Sequence, residues 1–122
     1  IYEIYFDKFR RNLSGVYYMK LPKSINILSQ IYEVESVPDV IIDENRNMLY
    51  GRCLFEESRI LIYNYNYTQA FKTLLHEIIH AICRDLNLYD AEHNEKFIDT
   101  LATGLTDTLI RNDLIKIKES KK

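Results

Sequence analysis

Apolar positions recur along this chain with two different periods, and the change falls near residue 66. Upstream, apolar residues come in short runs. Residues 24–27, 30–37, 40–43, 48–55 and 59–64 read as strands, separated by Pro38, by 43–47 and by 56–58. In the last run Ile60, Ile62 and Asn64 alternate with Leu61, Tyr63 and Tyr65, one face for the helices and one for solvent. Gly51 inside a strand suggests a bulge or a close backbone approach. Residues 2–13 have mixed helical spacing, and 16–21 read either as a short strand or as its continuation. From Tyr67 to Asn87 the period becomes helical. Leu74, Leu75, Ile78, Ile79, Ala81, Ile82 and Leu86 fall on one side, and Thr73, Arg84 and Asn87 on the other. Asn66 and Gln69 have capping-box spacing at its start. A second helix follows, with Asp90 as N-cap, Glu92 in the first turn and a stripe of Ile98, Leu101, Ala102, Leu105 and Leu109. The pattern predicts an α+β fold: a small, mainly antiparallel sheet packed on two helices, in a single domain spanning 1–122. Residues 1–23 form an N-terminal extension and 113–122 a charged tail, in which Lys116, Lys118, Lys121, Lys122 and Glu119 read as a frayed end.

The polar side of the first helix carries His76-Glu77-Ile78-Ile79-His80. At about 100° per residue the two histidines lie one turn apart on one face, so both imidazoles can reach a single metal ion. Glu77 sits beside them, where a general base takes a proton from a metal-acidified water. A catalytic zinc generally has three protein ligands and an open position, so a third ligand is required. Glu95, at the edge of the second helix's apolar stripe, can point inward when the two helices pack antiparallel. His93, one turn before Phe97, is the alternative third ligand. Cys53 and Cys83 sit in apolar neighbourhoods and read as buried free thiols. Cys83, three residues after His80, is a weaker rival ligand.

The run His76-Glu77-x-x-His80 followed by Asn94-Glu95-x-x-x-Asp99 resembles the gluzincin pattern. That resemblance implies a minimal zincin-like fold with His76, His80 and Glu95 as zinc ligands, Glu77 as base and Asp99 as the carboxylate that orients a ligating histidine. A closer likeness is to small phage- and prophage-borne metallopeptidases. They share Thr-Leu-Leu-His-Glu-x-x-His-Ala (Thr73 to Ala81), a Leu-Ala-Thr-Gly-Leu segment (Leu101 to Leu105) and a β-region with an isolated glycine such as Gly51. The likeness covers roughly residues 25–112. The spacing between the two motifs is shorter than in large gluzincins and fits a tight helix-to-helix turn. In zincins generally the strand above the metal presents an edge to the substrate, so a peptide is expected to add as a strand along Arg59 to Tyr65. Tyr63, Tyr65, Tyr67 and Tyr89 are candidate oxyanion donors, weakly indicated among ten tyrosines.

The rest of the composition narrows the function class. At 122 residues there is no room for a separate recognition module, so specificity lies in the cleft. A net charge of −2 and the lack of a basic stripe argue against nucleic acid. No apolar run is long enough to span a membrane and no signal peptide is visible, so the expected setting is cytoplasmic. The chain starts at Ile1, and an export signal upstream would change that expectation. The sequons at Asn12 and Asn66 read as coincidental. The expected function is zinc-dependent peptide hydrolysis. Its alternatives are a non-catalytic metal-binding protein and a metal-free interaction domain of a mobile element.

Overall fold

The computed structural model describes the backbone of residues 2–11, 17–19 and 21–120, and side-chain surroundings for 21–66 and 68–115. Among the described residues, nine strands and three α-helices follow in the order β1 (Tyr2–Arg11), β2 (Tyr17–Met19), β3 (Ser24–Ile27), β4 (Gln30–Val37), β5 (Ile41–Ile42), β6 (Met48–Leu49), β7 (Gly51–Leu54), β8 (Arg59–Tyr63), α1 (Tyr67–Asp85), α2 (Tyr89–Glu92), α3 (Glu95–Arg111) and β9 (Ile115–Ser120). The fold is α+β, with strands ordered β3-β4-β8-β7 in the largest sheet, β2-β1-β9 in a second and β5-β6 in a third. No helix among the described residues is long and apolar enough to cross a membrane.

Among the described residues four strand pairings are antiparallel, as expected, and two are parallel, so the two larger sheets are mixed. β4 runs parallel to β8, pairing Val34 with Ile60 and Ser36 with Ile62, and β1 runs parallel to β9. A parallel pair needs a long connection. Residues 38–58 supply one for β4 and β8, and nearly the whole chain lies between β1 and β9. The expected single strand over 48–55 is two strands that change partner at Tyr50. Met48 and Leu49 pair with Ile42 and Ile41, whereas Gly51 to Leu54 pair with Ile62 to Arg59.

Both chain ends depart from the expectation. Tyr2–Arg11 is a strand, because Tyr2, Ile4 and Phe6 alternate with Glu3 and Asp7 as well as they fit a helix. The expected frayed tail is likewise a strand over 115–120, where Ile115 and Ile117 alternate with Lys116 and Lys118 and register with Tyr2 to Asp7. Lys121 and Lys122 lie outside the described residues, as do 1, 12–16 and 20, and with 12–14 the first sequon.

Two apolar clusters hold the helices. Ile60 and Ile62, both fully buried on β8, pack with Ala70, Phe71, Leu74 and Ala81 of α1 and with Ile27 and Tyr32. Ile79 and Cys83 of α1 pack with Ile98 and Ala102 of α3. Each fully buried isoleucine contributes about 1.5–3 kcal/mol by leaving water. With the sheet on one side of α1 and α3 on another, the face carrying Lys72, His76 and His80 is left to line a cleft.

The helix ends are specified locally. Asn66 Oδ1 accepts from the Gln69 N–H at 3.0 Å to start α1. At its end Asn87 takes φ 58°, Leu88 N–H donates to the Cys83 carbonyl and Asn87 N–H to that of Arg84, a Schellman closure. Asp90 is not the cap of the second ligand-bearing helix. It lies inside the short α2, and α3 starts at Asn94, whose Oδ1 accepts from the Phe97 N–H at 3.0 Å. An asparagine is as good a cap as an aspartate, and Asn94 sits one residue before Glu95.

Candidate metal centre

The histidines of α1 meet one carboxylate. His76 Nε2 lies 3.1 Å from Glu95 Oε2, and His80 Nε2 lies 2.9 Å from Glu95 Oε1. One ligand atom from each of His76, His80 and Glu95 falls within 4.8 Å of the others, the one such cluster among the described residues. The helical turn between the histidines puts their ring centroids 5.0 Å apart. Glu95 reaches them because α3 runs antiparallel to α1. Moving back along α1 from His80 to His76 to Lys72 means moving forward along α3 from Glu95 to Asp99.

Asp99 stands behind His76. Its Oδ1 is 3.6 Å from His76 Nδ1 and 3.9 Å from Lys72 Nζ. The former is too long for a hydrogen bond as it stands but on the correct ring nitrogen to hold Nε2 toward the cleft. His93, two residues before Glu95, turns away. Its Nδ1 donates to the Tyr89 carbonyl at 2.9 Å and lies 2.8 Å from the buried Glu92 carboxylate, while its ring packs 4.2 Å from that of Tyr89. Cys83 is buried between α1 and α3 as an apolar side chain, and both cysteines are free thiols.

Glu77 is buried, and its carboxylate accepts the backbone N–H of Cys53. Burial, and then the charge of Glu95, push its pKa up to about 8, against the pull of the Cys53 N–H. Gly51 makes this approach of strand to helix achievable. A Cβ there would lie 2.4 Å from Thr73 Cγ2 and 3.3 Å from Glu77 Oε2, so the isolated glycine marks a close backbone approach. The His80 pKa is lowered, first by burial and also by the neighbouring His76, while Glu95 opposes. A neutral imidazole is the state that ligates a metal. Burial, with the Glu77 charge second, pushes the Cys53 thiol up to about 12, and burial also raises Cys83.

The cleft holds about 190 Å³. Met48 to Gly51 form one wall, Glu95 and Asp99 the other, and Gln69, Lys72, Thr73, His76 and Glu77 the floor. The strand over 59–64 does not present an edge here, since β8 is paired on both sides, by β4 and by β7. A peptide therefore cannot add along Arg59 to Tyr65. The terminal strand beside α1 is β7. Of the candidate oxyanion tyrosines, Tyr63, Tyr65 and Tyr89 are not in the cleft lining either. Tyr63 and Tyr65 stack on each other at 4.7 Å and pack against Tyr50, Tyr89 packs on His93, and the Tyr67 side chain is outside the described residues. Tyr50 is the tyrosine that reaches the lining.

Sequence reasoning missed Tyr50, Lys72 and Glu92. Lys72 had a signal, standing one helical turn before His76 on the same face. Tyr50 had none, because its place depends on the strand changing partners.

The donor set fits a transition-metal ion. Two imidazole nitrogens and one carboxylate suit zinc, and ligand distances of about 2.0–2.2 Å need only a slight separation of the present contacts. Comparisons with known protein families, with curated proteins and with solved structures give no match.

Proposed function

We propose that this protein is a zinc-dependent peptidase with a minimal zincin-like arrangement, as its likeness to gluzincins and to phage- and prophage-borne metallopeptidases implies. The observation that carries the reading is the convergence of His76, His80 and Glu95 beside a cleft that His76, Glu95 and the buried Glu77 line. His76, His80 and Glu95 would hold the ion, which when bound supplies an acidified water and a polarised scissile carbonyl. Glu77 would serve as the general base, its carboxylate accepting a proton and later returning it to the leaving amine nitrogen. Its burial beside the cluster supports this role, because a carboxyl held out of bulk water exchanges its proton with groups in the cleft. Asp99, 3.6 Å from the outward ring nitrogen of His76, would accept from it on closing by a few tenths of an ångström and so fix its tautomer. The peptide lies along the outer edge of β7, where Gly51 admits backbone close to α1.

A purely structural metal site would close with a fourth protein ligand. His93, the alternative third ligand, is engaged with Tyr89 and Glu92 instead, which favours an open position and hydrolysis. The test separates metal from chemistry. Glu77→Gln is expected to keep its zinc while hydrolysis falls by about 10²–10⁴-fold, and His76→Ala or His80→Ala to lose both. A fully active Glu77→Gln protein would show that the base is assigned wrongly.

A further inference from the structure

The charges lining the cleft are unevenly committed. Glu95 meets both histidines, Glu77 is buried against β7, and Asp99 stands beside His76. Histidines apart, Lys72 is the one cation in the lining among the described residues. It stands four residues before His76, so α1 carries it on the same face, about 6 Å along the helix axis.

The Lys72 ammonium is only loosely held. Its Nζ is 3.9 Å from Asp99 Oδ1, beyond hydrogen-bonding range, so its three N–H donors remain for a ligand. With the side chain 27% exposed, it is open to a ligand yet partly sheltered from the screening that weakens surface ion pairs. Gln69, one turn nearer the helix start, adds an amide to the same floor.

We infer that Lys72 binds the C-terminal carboxylate of the substrate, so that the protein is an exopeptidase acting on peptides held by their C-terminal end. This rests on the peptidase reading. Consecutive Cα atoms are about 3.8 Å apart. Lys72 lies one helical turn from His76 in the same lining, so a carboxylate one residue beyond a scissile carbonyl held at the cluster is within reach of its long side chain. An internal stretch of peptide would place only a neutral carbonyl there. Met48, Leu49 and Tyr50 share the cleft and offer an apolar wall to the terminal side chain.

The test uses two libraries of N-acetylated tripeptides, randomised at every position, one ending in a free carboxylate and the other in a carboxamide. Retention on immobilised, zinc-loaded Glu77→Gln protein is read by mass spectrometry, with zinc content measured in every sample. The free-carboxylate library is expected to be retained about tenfold or more over the carboxamide library. Lys72→Met should erase the preference and Lys72→Arg keep it, with zinc unchanged in both. Equal retention of the two libraries, or a preference that survives Lys72→Met, overturns the role of Lys72 and leaves the peptidase reading standing. Retention of neither library by zinc-loaded protein overturns this inference, and the peptidase reading with it only if the wild-type zinc-loaded protein also fails to cleave a library of longer random peptides.

Discussion

Glu77 is the residue in which fold and chemistry compete most directly. Its carboxyl, at about pKa 8 against an ordinary 4.5, favours the protonated form in the folded state. The folded-state value is the higher one, so its protonation supports the fold fully below the unfolded value, and that support is lost as pH rises through about 8. Glu77→Gln keeps an acceptor for the Cys53 N–H and never ionises. In chelator-treated protein it is expected to raise the melting temperature at about pH 9 and to change it little at about pH 5. A lower melting temperature at the higher pH would contradict the burial argument. Gly51 is equally constrained. Gly51→Ala places a methyl 2.4 Å from Thr73 Cγ2, so thermal or denaturant unfolding should show a loss of about 1–3 kcal/mol. At this scale the sequence was most informative where chemistry is local to one helix. His76, Glu77 and His80 are set by helical spacing alone, whereas Tyr50 and the buried Glu92 owe their places to contacts between distant elements.

Elements place Glu95 more than its own side chain does. As the first residue of α3 it depends on where that helix starts, and the Asn94 cap sets the start. Asn94→Ala should cost about 1 kcal/mol by denaturant unfolding and also weaken zinc binding. Unaltered zinc affinity would mean that contact with α1 alone positions Glu95. The sequence reading placed the cap at Asp90, whereas the structure places it at Asn94. What separates them is the left-handed Asn87 and the short α2, a turn geometry that hydrophobic periodicity does not encode. The strands over 24–27, 30–37 and 59–63 were readable from alternation, since one face of each meets buried side chains. Their partners were not, because alternation is the same in parallel and antiparallel pairs. The pairing of β8 on both sides therefore moves the free edge at the cleft from β8 to β7.

Across the whole molecule, the two ends meet as β1 and β9, a pairing that only the complete chain order reveals, since each end alone fits several patterns. The α+β class and a helix carrying the site were legible, because one change of apolar period marks both. The cleft itself is small, and an ion bound by His76, His80 and Glu95 as proposed would stabilise the fold. Zinc at a thousandfold excess over its dissociation constant should add about 4 kcal/mol, seen as a raised melting temperature that a chelator reverses. The most direct measurement is zinc content by elemental analysis of the purified protein after reconstitution, with His76→Ala and Glu95→Ala in parallel. The expected result is about one zinc per chain, lost in both variants. A protein that takes up no zinc, or keeps it without His76 and Glu95, would contradict the metal centre proposed for this cleft.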